Sequence, residues 1–205
     1  NAYALLHGRY LWDIAPAGFQ TFFHPLADVP FYLLVTELPD RPRLIAVLMG
    51  LPHGVSALLV FLIARRLFPA GLGGRALAVA AVLAIGLTGA AILPTVGGTM
   101  NDYQVAPFLL AGLLWTMKGL APGPAVRPGL WLASAGAAVG LGVGLKLTLA
   151  PYGAALAFAF LVAGRPWRTT WGALLLFLAG AAATFALVAG PWMIFLHAQF
   201  ESPLF

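Results

Sequence analysis

Charged side chains in this sequence are separated by apolar runs long enough to cross a lipid bilayer. A spanning helix needs about 20 mostly apolar residues, with a working range of about 17–25. Leu44–Ala64 and Ala76–Asn101 carry no charge. Tyr103–Met117 is shorter, but Lys118 at its end can snorkel to the interface. Pro128–Leu145 and Leu147–Gly164 follow, parted by Lys146. The last run, Thr169–Phe200, exceeds one span, and a break is expected near Gly190-Pro191. The fold class read from this spacing is all-α, a polytopic transmembrane helix bundle of about six spans.

Composition points the same way. The 205 residues are 61% hydrophobic and 8% charged, with mean hydropathy +0.94. Soluble domains are about 45–50% apolar and about 25% charged. Too few polar residues are present to cover a soluble surface. A soluble globular enzyme, a disordered tail and a nucleic-acid-binding domain are therefore excluded, so no nucleic-acid partner is expected. The chain has no Cys, which excludes disulfide frameworks, zinc sites and thiol catalysis. Heavy Ala, Gly and Leu usage, with Arg preferred to Lys, fits a GC-rich bacterial source.

Positive charge sets the orientation of membrane helices. With six spans, one side receives Arg65, Arg66, Arg75, Lys118, Arg127, Arg165 and Arg168. The other receives Arg9, Arg41, Arg43 and Lys146, together with all six acids: Asp13, Asp28, Glu37, Asp40, Asp102 and Glu201. The first side reads as cytoplasmic, and the polar chemistry falls on the outer face. This holds only if Leu26–Leu38, interrupted by Asp28, Pro30 and Glu37, does not cross. That segment reads as a re-entrant or interfacial helix.

Two regions follow. Residues 1–43 form an outer-face loop with interfacial helices, and residues 44–205 form the transmembrane bundle. The chain opens at Asn1 with no Met or leader and stops just after an apolar run. It reads as an internal stretch of a longer membrane protein. Small residues in Ser134–Gly144 and Gly180–Ala183 suit close helix packing. Gly140-x-Gly142-x-Gly144 lacks the preceding strand and phosphate-facing loop of a nucleotide fingerprint.

The first region mixes aromatic and polar residues: Tyr3, His7, Tyr10, Trp12, Asp13, Phe19, Phe22, Phe23, His24, Asp28 and Tyr32. This suits a membrane–water interface, either as a plain anchor or as a site for a lipid-linked substrate. Asn1–Tyr10 reads as a short amphipathic helix ended at Gly8, and Pro16 with Gly18 as a turn.

The chemistry-bearing candidates are few. Asp102, beside Asn101 between two spans, is either catalytic or a helix N-cap. Lys146 is either a snorkelling lysine at a turn or a cation facing a phosphate. His24, opening His24-Pro25-Leu26 near Asp28, can bind a phosphate, orient a carboxylate or simply sit at the interface. His53 lies inside a span and is expected to hydrogen-bond a neighbouring helix. His197 is expected to meet the interface. No His, Asp or Glu spacing makes a metal cage.

The order of these features resembles the integral-membrane GT-C glycosyltransferase superfamily. An outer aromatic segment is followed by His24-Pro25-Leu26, a span ending in Ala64–Phe68, and Asp102 at the next outer turn. Gly144–Lys146, Gly190–Trp192 and Ser202–Phe205 complete the order. The resemblance implies sugar transfer from a polyprenyl-phosphate-linked donor, with membrane lipid as surroundings. It implies an essential Asp near the end of a first span, which would lie before Asn1. Asp102 then matches the second acidic position, and Lys146 a substrate-facing lysine. His24 matches the His of a His-Pro-Pro-Leu-like segment, with Leu26 in place of the second Pro. Asp13 and Asp28 come late in the loop for the base. Asp13 is kept as a second catalytic candidate, and Asp28, Asn101 and Arg9 join Lys146 and His24 as substrate-binding candidates. A divalent metal at the leaving phosphate is left open. The competing readings are a lipid-linked-sugar transporter and an accessory subunit of a larger membrane complex.

Overall fold

The computed structural model describes residues 2–9, 24–89, 92–121, 127–163 and 166–203. Among these residues every regular element is helical. The α-helices are α1 (Ala2–Leu6), α2 (Val29–Glu37), α3 (Pro42–Leu67), α4 (Arg75–Leu87), α5 (Asn101–Gly119), α6 (Pro128–Leu145), α7 (Ala150–Val162) and α8 (Trp167–Phe200). Short 3-10 turns cover Pro25–Asp28, Leu93–Thr95 and Leu147–Leu149.

Among the described residues three helices are long and apolar enough to cross a membrane: α3, α6 and α8. The other expected spans form helices that are shorter or less apolar. With 13 residues each, α4 and α7 extend about 20 Å, against a hydrocarbon core of about 30 Å. With 19 residues, α5 is long enough, but its first turn is Asn101-Asp102 and its last holds Lys118.

The expected span Ala76–Asn101 is not one helix. It ends at Leu87, and the chain then passes through the Leu93–Thr95 turn before α5 begins. Charge spacing alone missed the breakers in Thr88-Gly89, Pro94 and Gly97-Gly98. Gly97 has φ +76°, and a Cβ there would sit 2.6 Å from Ala46 O of α3. Only glycine suits both that conformation and that approach.

Other boundaries fall where the sequence placed them. His24 opens the Pro25–Asp28 turn, its ring accepting Leu26 N–H. The turn runs into α2, whose nine residues extend about 14 Å and do not span a bilayer. Gly8, at φ +64°, follows α1. Lys146 ends α6 in extended backbone, φ −148° and ψ 105°, and Pro151 lies in the first turn of α7. The expected break at Gly190-Pro191 is absent: α8 runs unbroken for 34 residues with Pro191 inside it. Proline costs one backbone bond there, and neighbouring groups in a membrane bundle can take up the freed carbonyls.

At the centre lies α6, packed on α8 along one side and on α5 along the other, while α3 packs on α5 and α4 on α3. The α6–α8 seam is built from glycine. Gly136 and Gly140 sit one turn apart on α6, and a Cβ on either would overlap Phe177 O or Ala181 O of α8. From α8, Gly180 approaches Ala133 O as closely. Thr184 Oγ1 donates to Ala137 O across the seam at 2.8 Å. In a bilayer, close backbone contact of this kind would replace the hydrophobic drive that lipid cannot supply. Leu132, Ala135, Val139, Phe160, Leu174 and Phe177 fill the core beside it. The glycines of Gly140–Gly144 thus serve helix packing, as their setting suggested.

Outside this core, large apolar side chains face outward. Ile85 is 78% exposed and Leu187 76%. Such faces suit lipid or partner helices rather than water.

Candidate functional site

The polar residues singled out in the sequence meet where α5 begins and α6 ends. Met100 is the N-cap of α5 and gives no side-chain cap. Asn101 and Asp102 occupy the first turn, where the helix dipole favours negative charge. Asp102 is therefore not the capping residue. Its Oδ1 lies 2.8 Å from Lys146 Nζ, with the Asp102 side chain 63% exposed and that of Lys146 27%. Lys146 reaches this position because α6 stops one residue before it.

Asn101, next in the chain, turns the other way. Its Nδ2 donates to Asp28 Oδ1 at 3.1 Å. Its own Oδ1 is buried and lacks a hydrogen-bond partner. An unpaired buried carbonyl is costly, and a ligand hydroxyl would satisfy it. The bond ties the Pro25–Asp28 turn to α5, so Asn101 carries the Asp28 carboxylate and its chain neighbour Asp102 meets Lys146.

His24 anchors the same turn to α8. Its Nδ1 accepts Leu26 N–H at 3.3 Å, so Nε2 carries the proton and donates to Val188 O at 3.0 Å. Pro191 removes the donor for the neighbouring carbonyl, Leu187 O, and loosens this turn of α8. Burial pushes the His24 pKa below its ordinary range, partly offset by the bond to Val188. With both ring nitrogens engaged and the neutral form favoured, His24 shapes the site wall rather than supplying a cation.

A cavity of about 250 Å³ opens against this cluster. Its polar lining is His24, Asn101, Lys146 and Thr148, and Leu145, Leu147, Phe185, Ala189, Trp192 and Leu196 form much of the rest. An apolar chamber lined also by a cation, one amide, an imidazole and a hydroxyl suits an amphiphile with an anionic head. A second cavity, of about 300 Å³, lies on the other side of Asn101, with Tyr3, Asp28, Tyr32, Thr99 and Gln104 in its lining. Tyr3 stacks on His7 at 4.3 Å between ring centres, and Tyr32 meets both rings edge-on.

The remaining candidates stand apart. Arg9 is exposed and donates to Tyr3 Oη at 3.4 Å, so it sits with α1. His53 meets the Tyr103 ring edge-on at 6.4 Å. His197 is exposed near the end of α8, where its carbonyl accepts Glu201 N–H. Asp13, and the turn expected at Pro16 and Gly18, lie outside the described residues. Among the described residues no three His, Asp or Glu side chains converge on a metal position.

Sequence reasoning missed the α8 wall. Phe185, Ala189, Trp192 and Leu196 recur at helical spacing and line the first cavity. That spacing was legible, but the break expected at Pro191 divided it. Comparison with family models, with curated proteins and with solved structures gives no match.

Proposed function

We propose that this chain forms part of a membrane glycosyltransferase. It would move a sugar from a polyprenyl-phosphate donor to an acceptor hydroxyl at the outer face of a bacterial inner membrane. The observation that carries the reading is Lys146, which lines an apolar cavity and pairs with Asp102. A carboxylate and a cation are what this reaction needs, and the cavity suits the lipid that would bring them their substrate. The charge asymmetry along the sequence supports the orientation, and the outward apolar side chains support the membrane setting.

In this reading the donor phosphate draws Lys146 toward itself and loosens its hold on Asp102. The freed carboxylate takes the proton from the acceptor hydroxyl. The acceptor oxygen then bonds to the anomeric carbon as the bond from that carbon to the phosphate oxygen breaks. Polyprenyl phosphate leaves, and Lys146 stabilises the charge that develops on it. Asn101 Oδ1 offers an acceptor to a substrate hydroxyl, and Asp28 borders the second cavity, where the acceptor would enter. No step is assigned to a metal.

The test is reconstitution of the whole protein in liposomes with a labelled lipid-linked sugar and a hydroxyl acceptor. Label appearing on the acceptor is the expected result. Label crossing the bilayer still attached to its lipid would favour a transporter. Transfer that depends wholly on a copurifying partner would favour an accessory role.

A further inference from the structure

The opposite end of the bundle holds a built cluster of cations that the proposed reaction does not use. Arg65 and Arg66 lie in the last turn of α3, Arg75 opens α4, and Lys118 lies in the last turn of α5. These four side chains line one cavity of about 290 Å³, floored by Leu62 and Leu114.

Three of the four cations are held in place without being neutralised. Arg75 Nη2 donates to Arg65 O at 2.7 Å and holds α4 against the end of α3. Its Nε is buried without a hydrogen-bond partner. Lys118 Nζ lies 4.4 Å from the centre of the Trp131 ring, and the Arg65 guanidinium lies 5.5 Å from that of Phe61. Aromatic faces attract cations but leave the charge in place. Among the described residues the acids are elsewhere: Asp28 precedes α2 and Glu37 ends it, Asp40 precedes α3, Asp102 lies in the first turn of α5, and Glu201 follows α8. Along α3 the separation from Pro42 to Arg65 is about 35 Å. Among the described residues no carboxylate pairs with the cluster.

A helix C-terminus accounts for part of this, since basic side chains favour its dipole. It does not account for four cations converging from three helices on one cavity, nor for a buried N–H left without an acceptor. A phosphate oxygen would satisfy that donor, and arginine is suited to grip phosphate through paired N–H groups. The two leucines give the cavity apolar surface beside its cations, which suits an amphiphile.

We infer that the cavity between α3, α4 and α5 binds the phosphate headgroup of an anionic phospholipid in the leaflet at that end. Basic pockets between membrane helices are suited to such headgroups. The inference rests on the helices crossing a membrane. It does not rest on sugar transfer, whose residues lie at the other end.

The experiment measures the thermal unfolding midpoint of the purified full chain in nanodiscs containing increasing phosphatidylglycerol in phosphatidylcholine. A parallel arm adds inorganic phosphate to phosphatidylcholine discs. The variants are R66Q/K118Q, which removes two charges, and R66K/K118R, which keeps them. Arg75 is left intact because it holds two helices together. Phosphatidylglycerol is expected to raise the wild-type midpoint saturably. R66Q/K118Q is expected to need about fivefold more of that lipid per cation removed, while R66K/K118R stays close to wild type. Equal midpoints of wild type in the two lipids would overturn the inference, as would an unchanged lipid response in R66Q/K118Q. Saturation by inorganic phosphate alone, with no response to the lipid, would overturn the lipid assignment. Should R66Q/K118Q fail to fold, the wild-type comparison of lipids still decides.

Discussion

Lys146 Nζ sits 2.8 Å from Asp102 Oδ1, joining the residue that ends α6 to the first turn of α5. The pair is open to solvent on the Asp102 side, with 63% of that side chain exposed. Exposed ion pairs contribute about 0–1 kcal/mol to stability. The helices are held instead by glycine seams and apolar packing, so the pair is available for chemistry.

That separation gives the first prediction. Lys146→Gln is expected to lower stability by less than about 1 kcal/mol. The same variant should lower sugar transfer by about 100-fold or more, because a charged donor is lost where the leaving phosphate develops charge. Chemical denaturation and a transfer assay on the same preparation check it. A large stability loss with unchanged transfer would make the pair structural.

The α6–α8 seam gives the second. Gly140→Val would drive a branched side chain into Ala181 O and Thr184 Oγ1. Overpacking of this kind costs about 3 kcal/mol, and the unfolding midpoint in detergent should fall sharply. Gly190→Ala is the control, because nothing lies within 4 Å of a Cβ at that position. Its midpoint should hold or rise, since alanine is favoured over glycine in helices by about 1 kcal/mol.

His24 gives a pH dependence. Burial holds its folded-state pKa below the ordinary value of 6.5. As pH falls below that value, the unfolded chain takes up the proton first. Stability is then fully present above about pH 6.5 and declines as pH drops toward the depressed folded-state value. A proton on Nδ1 would also face the Leu26 N–H that Nδ1 now accepts. Unfolding midpoints at pH 7.5 and pH 5.5 should differ more for wild type than for His24→Gln. Equal differences would place the pH sensitivity elsewhere.

Much of the local structure was legible from particular residues. Lys146 between two apolar runs marked the end of α6, and Gly8 the end of α1. Charges inside Leu26–Leu38 marked a segment that does not span. Two expectations failed for local reasons. Ala76–Asn101 was taken as one span because it lacks charge, yet Gly97 turns there under the backbone of α3. Pro191 was taken as a break, yet α8 runs through it with α6 packed along its side. The site was legible residue by residue but not as an assembly. Asp102 and Lys146 each stood out singly, whereas their pairing depends on α5 packing against α6. The bond from Asn101 to Asp28 joins residues 73 apart, a distance over which helical periodicity carries no information.

The most direct measurement is the rate of sugar transfer from a polyprenyl-phosphate donor by the full-length protein carrying Asp102→Asn, beside wild type in the same liposomes. A positioned base contributes about 100- to 10,000-fold, so the account predicts a loss in that range with the fold intact. Transfer at the wild-type rate would contradict it and remove Asp102 from the reaction.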